Sequence, residues 1–416
     1  MRFSARFIDP SAYGAYRFSR LPATIFSALS GVRSQAALPD DVFPHGHRKY
    51  EKVVFFLIDS FGWDYFNRAC DRSPFLSSLC QRGKATRLAA QFPSTTACEI
   101  TTANTGLDVG QHGIYEWYYY EPKAGDMIAP LLYSYAREHR QRETLQKDKT
   151  LLPSSIYPSE TMYKKLREIG IGSYVFQNSD YARSTYSTAM FDGAKVNGFG
   201  TLAEGLFNLS EAILNEKGPA YFYFYFDKID AVSHQYGPSS GQLQAEIDVF
   251  VLSLEHILWD RIKERAKNVL FLMTADHGQT TIDPGTCIYL NRAIPELLPY
   301  LRRTPDHGLM VPAGSCRDMF LYIKAGHIDE VRALLQDRLD GKAIVCKTSD
   351  LLDQGYFMRR DISKALAERL GDLVILPLPG ESVWWFEKDV YEIHFLGHHG
   401  GLTREEMEIP LLAWDL

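Results

Sequence analysis

The 416-residue chain is predicted to fold as an α/β protein built on a doubly wound sheet. Residues 53–58 form a continuous apolar run, and residues 172–176, 220–226 and 268–275 resemble it. Runs of this kind are typical of parallel strands that are buried on both faces. Helical patterns separate the runs, and this alternation of strand and helix indicates right-handed crossovers around one sheet.

Three helices between these strands have sequence signals of their own. Residues 161–170 carry a helical pattern. Thr201 and Glu204 have the spacing of a capping box that opens a helix ending near residue 217. Ser239 or Ser240 caps a long apolar-periodic stretch that ends near residue 267. Each helix connects two predicted strands, as a doubly wound fold requires.

The chain divides into three predicted parts. Residues 1–50 are irregular and rich in Pro, Gly and Arg, and we expect an N-terminal extension packed on the core. Residues 51–280 and 393–416 form the catalytic α/β core, and residues 281–392 form an α+β cap insertion. Within the cap, strands are predicted at 318–323, 343–348 and 373–378, and helices at 327–339 and 359–370.

Composition excludes several classes of protein. The formal charge of −6 gives no sign of a nucleic-acid surface. The six cysteines are sparse and none is spaced as C-x-x-C, so free thiols are expected. The N-terminus has no apolar stretch of a secretory signal, and no apolar run is long enough to span a membrane. A cytoplasmic location is therefore expected, and no pattern indicates the oligomeric state.

Side chains that can bind metals follow the predicted strands. Ligands of open α/β sheets collect beyond the carboxyl ends of the strands. Asp59 follows residues 53–58, and the pair Asp276 and His277 follows residues 268–275. One carboxylate at a strand end is as often a helix cap as a ligand, but two such side chains before a glycine are seldom there for packing.

Two further segments complete the candidate set. Asp230 and His234 stand four residues apart, and such a pair converges on one cation if the segment is helical. Alone this spacing is common and more often structural. His399 lies among glycines near the C-terminus, with His398 as the rival ligand and an ordinary loop histidine as the alternative interpretation.

A candidate nucleophile lies in residues 92–98, Phe-Pro-Ser-Thr-Thr-Ala-Cys. A hydroxyl at a helix N-terminus lies close to free backbone N–H groups and the positive end of the helix dipole, which also suit a phosphoryl oxygen. Both Thr95 and Thr96 fit this position. The alternative is an ordinary N-cap of a helix that runs to Gly106.

Taken together, these segments resemble the type I phosphodiesterase and nucleotide pyrophosphatase family of the alkaline phosphatase superfamily. The resemblance spans roughly residues 50–415, and it rests on residues 53–60, 92–106, 112–114, 230–238, 274–278 and 397–401. It implies an alkaline-phosphatase-like core and identifies Thr96, third after the proline, as the nucleophile. It also implies two divalent metal ions, zinc or alternatively manganese, with one set of ligands formed by Asp230, His234 and His399, and the other by Asp59, Asp276, His277 and the Thr96 oxygen.

The implied activity is phosphodiester hydrolysis through a phospho-threonine intermediate, on a small phosphodiester or nucleotide-like substrate. Phosphomonoester or phosphonate hydrolysis on the same site is a close alternative. A sulfatase is excluded because residues 98–102 lack the C-x-P-x-R pattern, and a cofactor-independent phosphoglycerate mutase would use serine. From a different class, the chain could be a non-catalytic scaffold, although all the expected ligand types are present.

The substrate-binding residues depart from the family pattern. In nucleotide pyrophosphatases an asparagine soon after His-Gly-Ile helps to hold the phosphate, whereas residues 112–120 here contain none. Trp117 and Tyr118 are candidates for stacking on a substrate, although such aromatics more often pack. Arg317 is a candidate phosphate contact, and Tyr181 and Arg183 are weaker candidates of the same kind.

Overall fold

The computed structural model describes residues 6–416. The first five residues lie outside the described residues. The expected N-terminal extension and the expected absence of a secretory signal depend partly on them. Across the described part of the chain, no helix is both long enough and apolar enough to cross a membrane.

One seven-stranded sheet forms the centre of the fold. In chain order its strands are β1 (Lys52–Ile58), β2 (Lys84–Ala89), β3 (Gly172–Asn178), β4 (Lys195–Phe199), β5 (Ala220–Phe226), β6 (Val269–Thr274) and β7 (Glu408–Asp415). Across the sheet the order is β2-β7-β6-β1-β5-β3-β4. Strand β7 runs antiparallel to both of its neighbours, and the other pairings are parallel. The predicted doubly wound α/β core is confirmed.

The degree to which each strand is buried explains whether the sequence predicts it. Every residue of β5 and β6 is buried, and so is every residue of β1 except Lys52. These strands read as unbroken apolar runs, and ring pairs such as Phe56 and Phe224, 5.5 Å apart, join them across the sheet. Strands β2 and β4 lie at the two edges and are largely exposed, so their polar sequences give no apolar run. Both edge strands were missed for that reason.

Helices cover both faces of the sheet. Helix and single-turn segments outside the 281–392 region are Leu21–Ser30, Trp63–Arg72, Pro74–Arg82, Thr96–Thr105, Val109–His112, Pro153–Ile156, Met162–Glu168, Thr185–Met190, Leu202–Asn215, Lys228–Tyr236, Gly241–Ser253 and Arg404–Met407. A π-helical segment, Leu254–Trp259, extends Gly241–Ser253 into Asp260–Ile262. The helix Leu21–Ser30 corrects the irregular structure predicted for this region, and its buried apolar face packs on the core.

Side-chain caps begin the three predicted helices. The hydroxyl of Thr161 accepts the Lys164 N–H, and that of Ser240, not Ser239, begins the helix Gly241–Ser253. Thr201 accepts the Glu204 N–H, but the Glu204 carboxylate accepts from the N–H of Gly200. The predicted capping box is therefore only half formed, with the second bond shifted by one residue.

Residues 281–392 contain a three-stranded antiparallel sheet. Its strands are Met319–Leu321, Ala343–Lys347 and the central Leu373–Pro377, and its helices are Ile328–Arg338, Thr348–Asp353 and Lys364–Arg369. Other strands form a meander (Tyr119–Glu121, Asp126–Ala129 and Ser134–Tyr135) and two short pairs (Thr280–Thr281 with Gly397–His398, and Ile288–Tyr289 with Val383–Trp384). The buried apolar side chains of this region are continuous with those of the central sheet. A distinct cap at 281–392 stays a proposal.

Arg317 joins this region to the segment before β7. Its side chain is fully buried and donates from Nε and Nη2 to both carboxylate oxygens of Glu406, at 2.9 and 3.0 Å. Its Nη1 donates to the carbonyl of Leu378 at 3.0 Å. Arg317 therefore forms a structural ion pair with Glu406. It is not the phosphate contact that the sequence predicted, because these bonds engage its guanidinium away from the site.

Breaking the Arg317–Glu406 pair is expected to be costly, because the remaining partner would be a buried unpaired charge. We expect Arg317→Met to lower the free energy of unfolding by about 3–5 kcal/mol, measured by urea denaturation. Arg404→Met removes an exposed arginine that pairs with Glu408, and it should cost less than about 1 kcal/mol. Equal losses in the two variants would contradict the structural role of Arg317.

Candidate active site

Two aspartates stand at the ends of adjacent parallel strands. Asp59 follows β1 and Asp276 follows β6 by one residue, so both lie at the carboxyl edge of the sheet. Asp276 Oδ1 accepts the backbone N–H groups of Ser60 and His277, both at 2.9 Å, and Asp59 Oδ2 accepts the Tyr225 hydroxyl. Asp59 Oδ1 and Asp276 Oδ2 are buried without a hydrogen-bond partner. Two orphaned carboxylate oxygens in a buried position are the donor atoms that a cation would satisfy.

Three histidines are oriented by backbone carbonyls. The Nδ1 atoms of His234, His277 and His399 lie 2.8, 3.1 and 3.0 Å from the carbonyl oxygens of Gly397, Gly278 and Ser94. A Nδ1–H that donates to a carbonyl leaves the lone pair on Nε2, which is the usual arrangement of metal-binding histidines. His398 Nδ1 lies 3.0 Å from both the carbonyl oxygen and the backbone nitrogen of His399.

These side chains form two groups in which the donor atoms lie within 4.8 Å of one another. One group contains Asp59, Asp276 and His277, and the other contains Asp230, His277 and His399. His234 is next to the second group, with its Nε2 3.4 Å from Asp230 Oδ1. The structure thus brings together all six predicted carboxylate and imidazole ligands, and it adds that His277 is shared between the two groups.

Glycine makes this close approach possible at Gly278. A Cβ atom on this residue would lie 2.1 Å from the carbonyl oxygen of Glu405 and 3.3 Å from the Cα of Gly62. Any larger residue would push the turn after β6 away from the segment that precedes β7. The Asp-His-Gly order is therefore a packing requirement as well as a ligand pattern.

Without a cation, burial and mutual repulsion disfavour the charged forms of the side chains in this site. Burial, followed by the negative charges of Asp276 and Asp230, raises the pKa of Asp59 well above its usual range. Burial also raises the pKa of Asp276. Burial and the neighbouring His277, whose ring stacks at 3.6 Å, lower the pKa of His399 well below its usual range. A bound cation would relieve all three effects by stabilising the ionised carboxylates and using the neutral imidazole.

Thr95 and Thr96 have different surroundings at the start of the helix Thr96–Thr105. Thr95 is the N-cap: its Oγ1 accepts the Cys98 N–H and donates to the carbonyl of Tyr115 at 3.2 Å. Thr96 Oγ1 lies 3.1 Å from His277 Nε2 and faces the ligand groups. Backbone groups engage the Thr95 hydroxyl, whereas the Thr96 hydroxyl contacts His277.

A buried polar network, which the sequence did not reveal, holds this helix. The Gln91 amide donates to Glu99 Oε2 and, at 2.9 Å, to Thr102 Oγ1. His112 Nε2 lies 3.0 Å from Thr102 Oγ1, and its Nδ1 accepts the Ile114 N–H at 3.0 Å. Burial lowers the pKa of His112 to about 3. The His-Gly-Ile motif therefore supports the helix that carries Thr96 and does not reach the ligand groups.

Two cavities open from Thr96. An aromatic cavity of about 510 Å³ is bounded by Trp117, Tyr118, Trp384 and Tyr391 and reaches His234 and His399. A second cavity of about 210 Å³ also borders Trp117, and we call it the polar cavity because four charged side chains line it, Asp59, Arg142, Asp227 and Asp230. The wall of the aromatic cavity also includes His398, whose pKa burial lowers to about 3.

The predicted substrate-binding residues differ in whether they border these cavities. Trp117 is partly exposed and borders both cavities, and Tyr118 is buried in the wall of the aromatic cavity. Tyr181 borders the polar cavity, whereas Arg183 borders neither. Arg142, which no sequence pattern singled out, borders the polar cavity. It lies outside every recognisable motif, so only the folded chain reveals it.

Two buried carboxyl groups, Glu116 and Asp318, lie against Gly400, and Glu116 also borders the aromatic cavity. A Cβ atom on Gly400, whose φ is +121°, would lie 2.7 Å from Asp318 Oδ1 and 3.2 Å from Glu116 Oε1. Burial raises the pKa of Glu116 to about 8, and burial together with Glu116 raises the pKa of Asp318. Glu116 therefore favours the protonated form in the folded protein at neutral pH.

This raised pKa predicts a pH-dependent stability. Between the unfolded pKa of a glutamate and about 8, the folded state binds more protons than the unfolded state, so stability falls as pH rises through that window. Glu116→Gln carries no charge and removes this loss. Relative to wild type, the variant should gain at least about 1 kcal/mol in free energy of unfolding between pH 5.5 and pH 9. Urea titrations at both pH values measure this, and the exposed Glu405→Gln should follow wild type.

The fold and site define a hydrolase of the alkaline phosphatase superfamily. The sequence profile described as "Type I phosphodiesterase / nucleotide pyrophosphatase" matches residues 53–402, and the chain belongs to that family. Comparison with curated proteins gives no match. The family resemblance that the sequence motifs carried is confirmed.

Solved structures share the fold at low sequence identity. Murine ectonucleotide pyrophosphatase/phosphodiesterase 5, in an inactive form bound to AMP, aligns with a TM-score of 0.63 and 18% identity over 86% of this chain and 87% of its own. Phosphonoacetate hydrolase from Sinorhizobium meliloti 1021, bound to phosphonoformate, aligns with a TM-score of 0.63 and 18% identity over 88% of this chain and 91% of its own. Both therefore support the fold.

Proposed function

We propose that this protein is a metal-dependent phosphodiester hydrolase with Thr96 as its nucleophile. The observation that carries the proposal is the position of the Thr96 hydroxyl, at a helix N-terminus, 3.1 Å from His277 Nε2 and open to two cavities. His277 belongs to both ligand groups, so a phosphoryl group at Thr96 would lie beside both. The proposed substrate is a small phosphodiester or nucleotide-like molecule.

The two cavities favour a diester over a monoester. A phosphodiester carries two organic substituents, and the aromatic and polar cavities both open from Thr96. A monoester would use only one of them. Phosphonate and monoester hydrolysis remain alternatives on the same site, and AMP and phosphonoformate are bound by the two structural relatives.

The residues present fit two divalent metal ions. Mixed carboxylate and imidazole donors suit zinc, and manganese accepts the same donors. Asp59, Asp276 and His277 would hold one ion, with the Thr96 oxygen beside it, and Asp230, His234 and His399 would hold the other. Such ions would lower the pKa of the threonine hydroxyl and stabilise the negative charge on the phosphoryl oxygens.

The chain's own atoms define two displacement steps. Thr96 Oγ forms a bond to phosphorus while the bond from phosphorus to the leaving oxygen breaks, and the alcohol departs into a cavity. Backbone N–H groups at the start of the helix Thr96–Thr105 lie next to this reaction and favour the phosphoryl oxygens. A water oxygen then forms a bond to phosphorus while the bond from phosphorus to Thr96 Oγ breaks. A proton of that water passes to Thr96 Oγ, which restores the hydroxyl, and the phosphoryl product leaves.

Substitution of the nucleophile should abolish hydrolysis. We expect Thr96→Ala to lower kcat/KM for bis-p-nitrophenyl phosphate by about 1,000-fold or more, with retained fold and metal content. Wild type should prefer this diester to p-nitrophenyl phosphate and lose activity with chelator. The control is Thr95→Asn, which keeps an N-cap acceptor but has no hydroxyl and should stay active. An active Thr96→Ala protein, or an inactive Thr95→Asn protein, would reverse the assignment.

Metal content tests the ligand assignment independently of activity. Purified wild type loaded with zinc should bind about two equivalents, measured by inductively coupled plasma mass spectrometry. Asp276→Asn removes a buried donor charge, so it should bind about one equivalent or less. Asp283→Asn, an exposed aspartate beyond the site, is the matched control and should bind as wild type does. Unchanged metal content in Asp276→Asn would remove this residue from the ligand set.

A further inference from the structure

The polar cavity contains a cation that the proposed chemistry does not use. Arg142 borders this cavity together with Thr96 and Asp59. Among residues 6–416, no carboxylate lies within ion-pairing distance of its guanidinium. The contact that it does make is with an aromatic ring, because its Cζ lies 5.7 Å from the ring centroid of Tyr181. Arg142 is exposed, and among the described residues its guanidinium has no anionic partner.

The negative charges that line the same cavity are already committed. Asp59 and Asp230 belong to the two ligand groups. Asp227 Oδ1 lies 3.3 Å from Lys228 Nζ, so a neighbouring cation offsets its charge. The remaining charge on the wall of this cavity is the positive charge of Arg142, which can attract an anion.

Tyr181 connects Arg142 to the reaction centre. Its Oη is buried close to Asp227, and burial together with this carboxylate raises the pKa of the hydroxyl, but the two groups are not in hydrogen-bonding geometry. Its ring packs 6.3 Å from that of Tyr225, which donates to Asp59. The Tyr181 hydroxyl therefore lies on the wall of the cavity without a hydrogen bond of its own, and its ring neighbours both the Arg142 guanidinium and Tyr225.

We propose that Arg142 and Tyr181 form an anion subsite that binds a second acidic group of the substrate, a carboxylate or a further phosphate. The subsite rests on the proposed function, because the scissile phosphoryl group would lie at Thr96 in the same cavity. Guanidinium presents paired N–H donors that match the two oxygens of a carboxylate or phosphate, and the Tyr181 hydroxyl adds a third donor. The preferred substrate is accordingly a diester with one acidic substituent.

Matched substrates test this subsite. We would measure kcat/KM of the zinc-loaded enzyme for 2-carboxyethyl p-nitrophenyl phosphate, its uncharged methyl ester, and the analogue with a phosphate in place of the carboxylate. Wild type should prefer at least one acidic substrate to the ester by about tenfold. Arg142→Met should remove that preference while hydrolysis of the ester stays within about twofold. Tyr181→Phe should reduce the preference by about threefold.

Arg183→Met is the control, since this exposed arginine is close in sequence to Tyr181 but borders neither cavity. It should keep the full preference for the acidic substrate. Preference in the carboxylate arm alone assigns a carboxylate, and preference in the phosphate arm alone assigns a second phosphate. The subsite is overturned if wild type treats both acids and the ester alike, or if Arg142→Met slows all three equally.

Binding separates failure of the subsite from failure of the proposed function. Calorimetric titration of zinc-loaded Thr96→Ala protein with the acid and its ester reports recognition without turnover. Tighter binding of the acid that Arg142→Met abolishes, in a protein whose wild type hydrolyses nothing, would support the subsite and reject the phosphodiesterase activity. Hydrolysis without any preference in binding would do the reverse.

Discussion

The rest of this structure depends on one constraint. The buried and partly unpaired side chains of the candidate metal site repel one another. Asp59 and Asp276 each bury an oxygen without a hydrogen-bond partner, and His277 stacks directly on His399. Left alone, such groups shift their pKa values and weaken the fold. The surrounding structure holds them in place through backbone carbonyls, helix termini and glycines, at positions where a cation would turn the repulsion into attraction.

The topology of the sheet brings this crowding about. Adjacent parallel strands end at the same edge, so residues that are 217 positions apart in the chain, Asp59 and Asp276, become neighbours. Helix Lys228–Tyr236 follows β5 and delivers Asp230 and His234 one turn apart on the same side. Buried ion pairs and the Gln91 network then fix the surrounding loops. The candidate ligands thus lie on a helix or soon after a strand.

Much of this arrangement could be predicted from the sequence, for physical reasons. Fully buried strands such as β5 need apolar residues at every position, and ligand residues must follow them directly, so both leave a local pattern. Edge strands are specified by tertiary packing and leave little local signal. The helix Leu21–Ser30 does have local signals, a proline in its first turn and Gly31 at its C-cap, but they were overlooked within a segment rich in Pro, Gly and Arg. Arg317 was misassigned because a buried arginine and a substrate-binding arginine have the same sequence context. Arg142 was missed for the converse reason, since its role depends on what surrounds it in space.

Strand β7 has a consequence for how the protein acquires its structure. It follows every other strand of the sheet in the chain, yet it lies in the interior, between β2 and β6. His399 and Glu406 precede it closely and belong to the ligand groups and to the buried ion pair. During synthesis on the ribosome, the sheet therefore remains split into two parts until this strand emerges. The edge of β6 that pairs with β7 stays open for that time, and chaperones would have the period between the emergence of β6 and that of β7 in which to shield it.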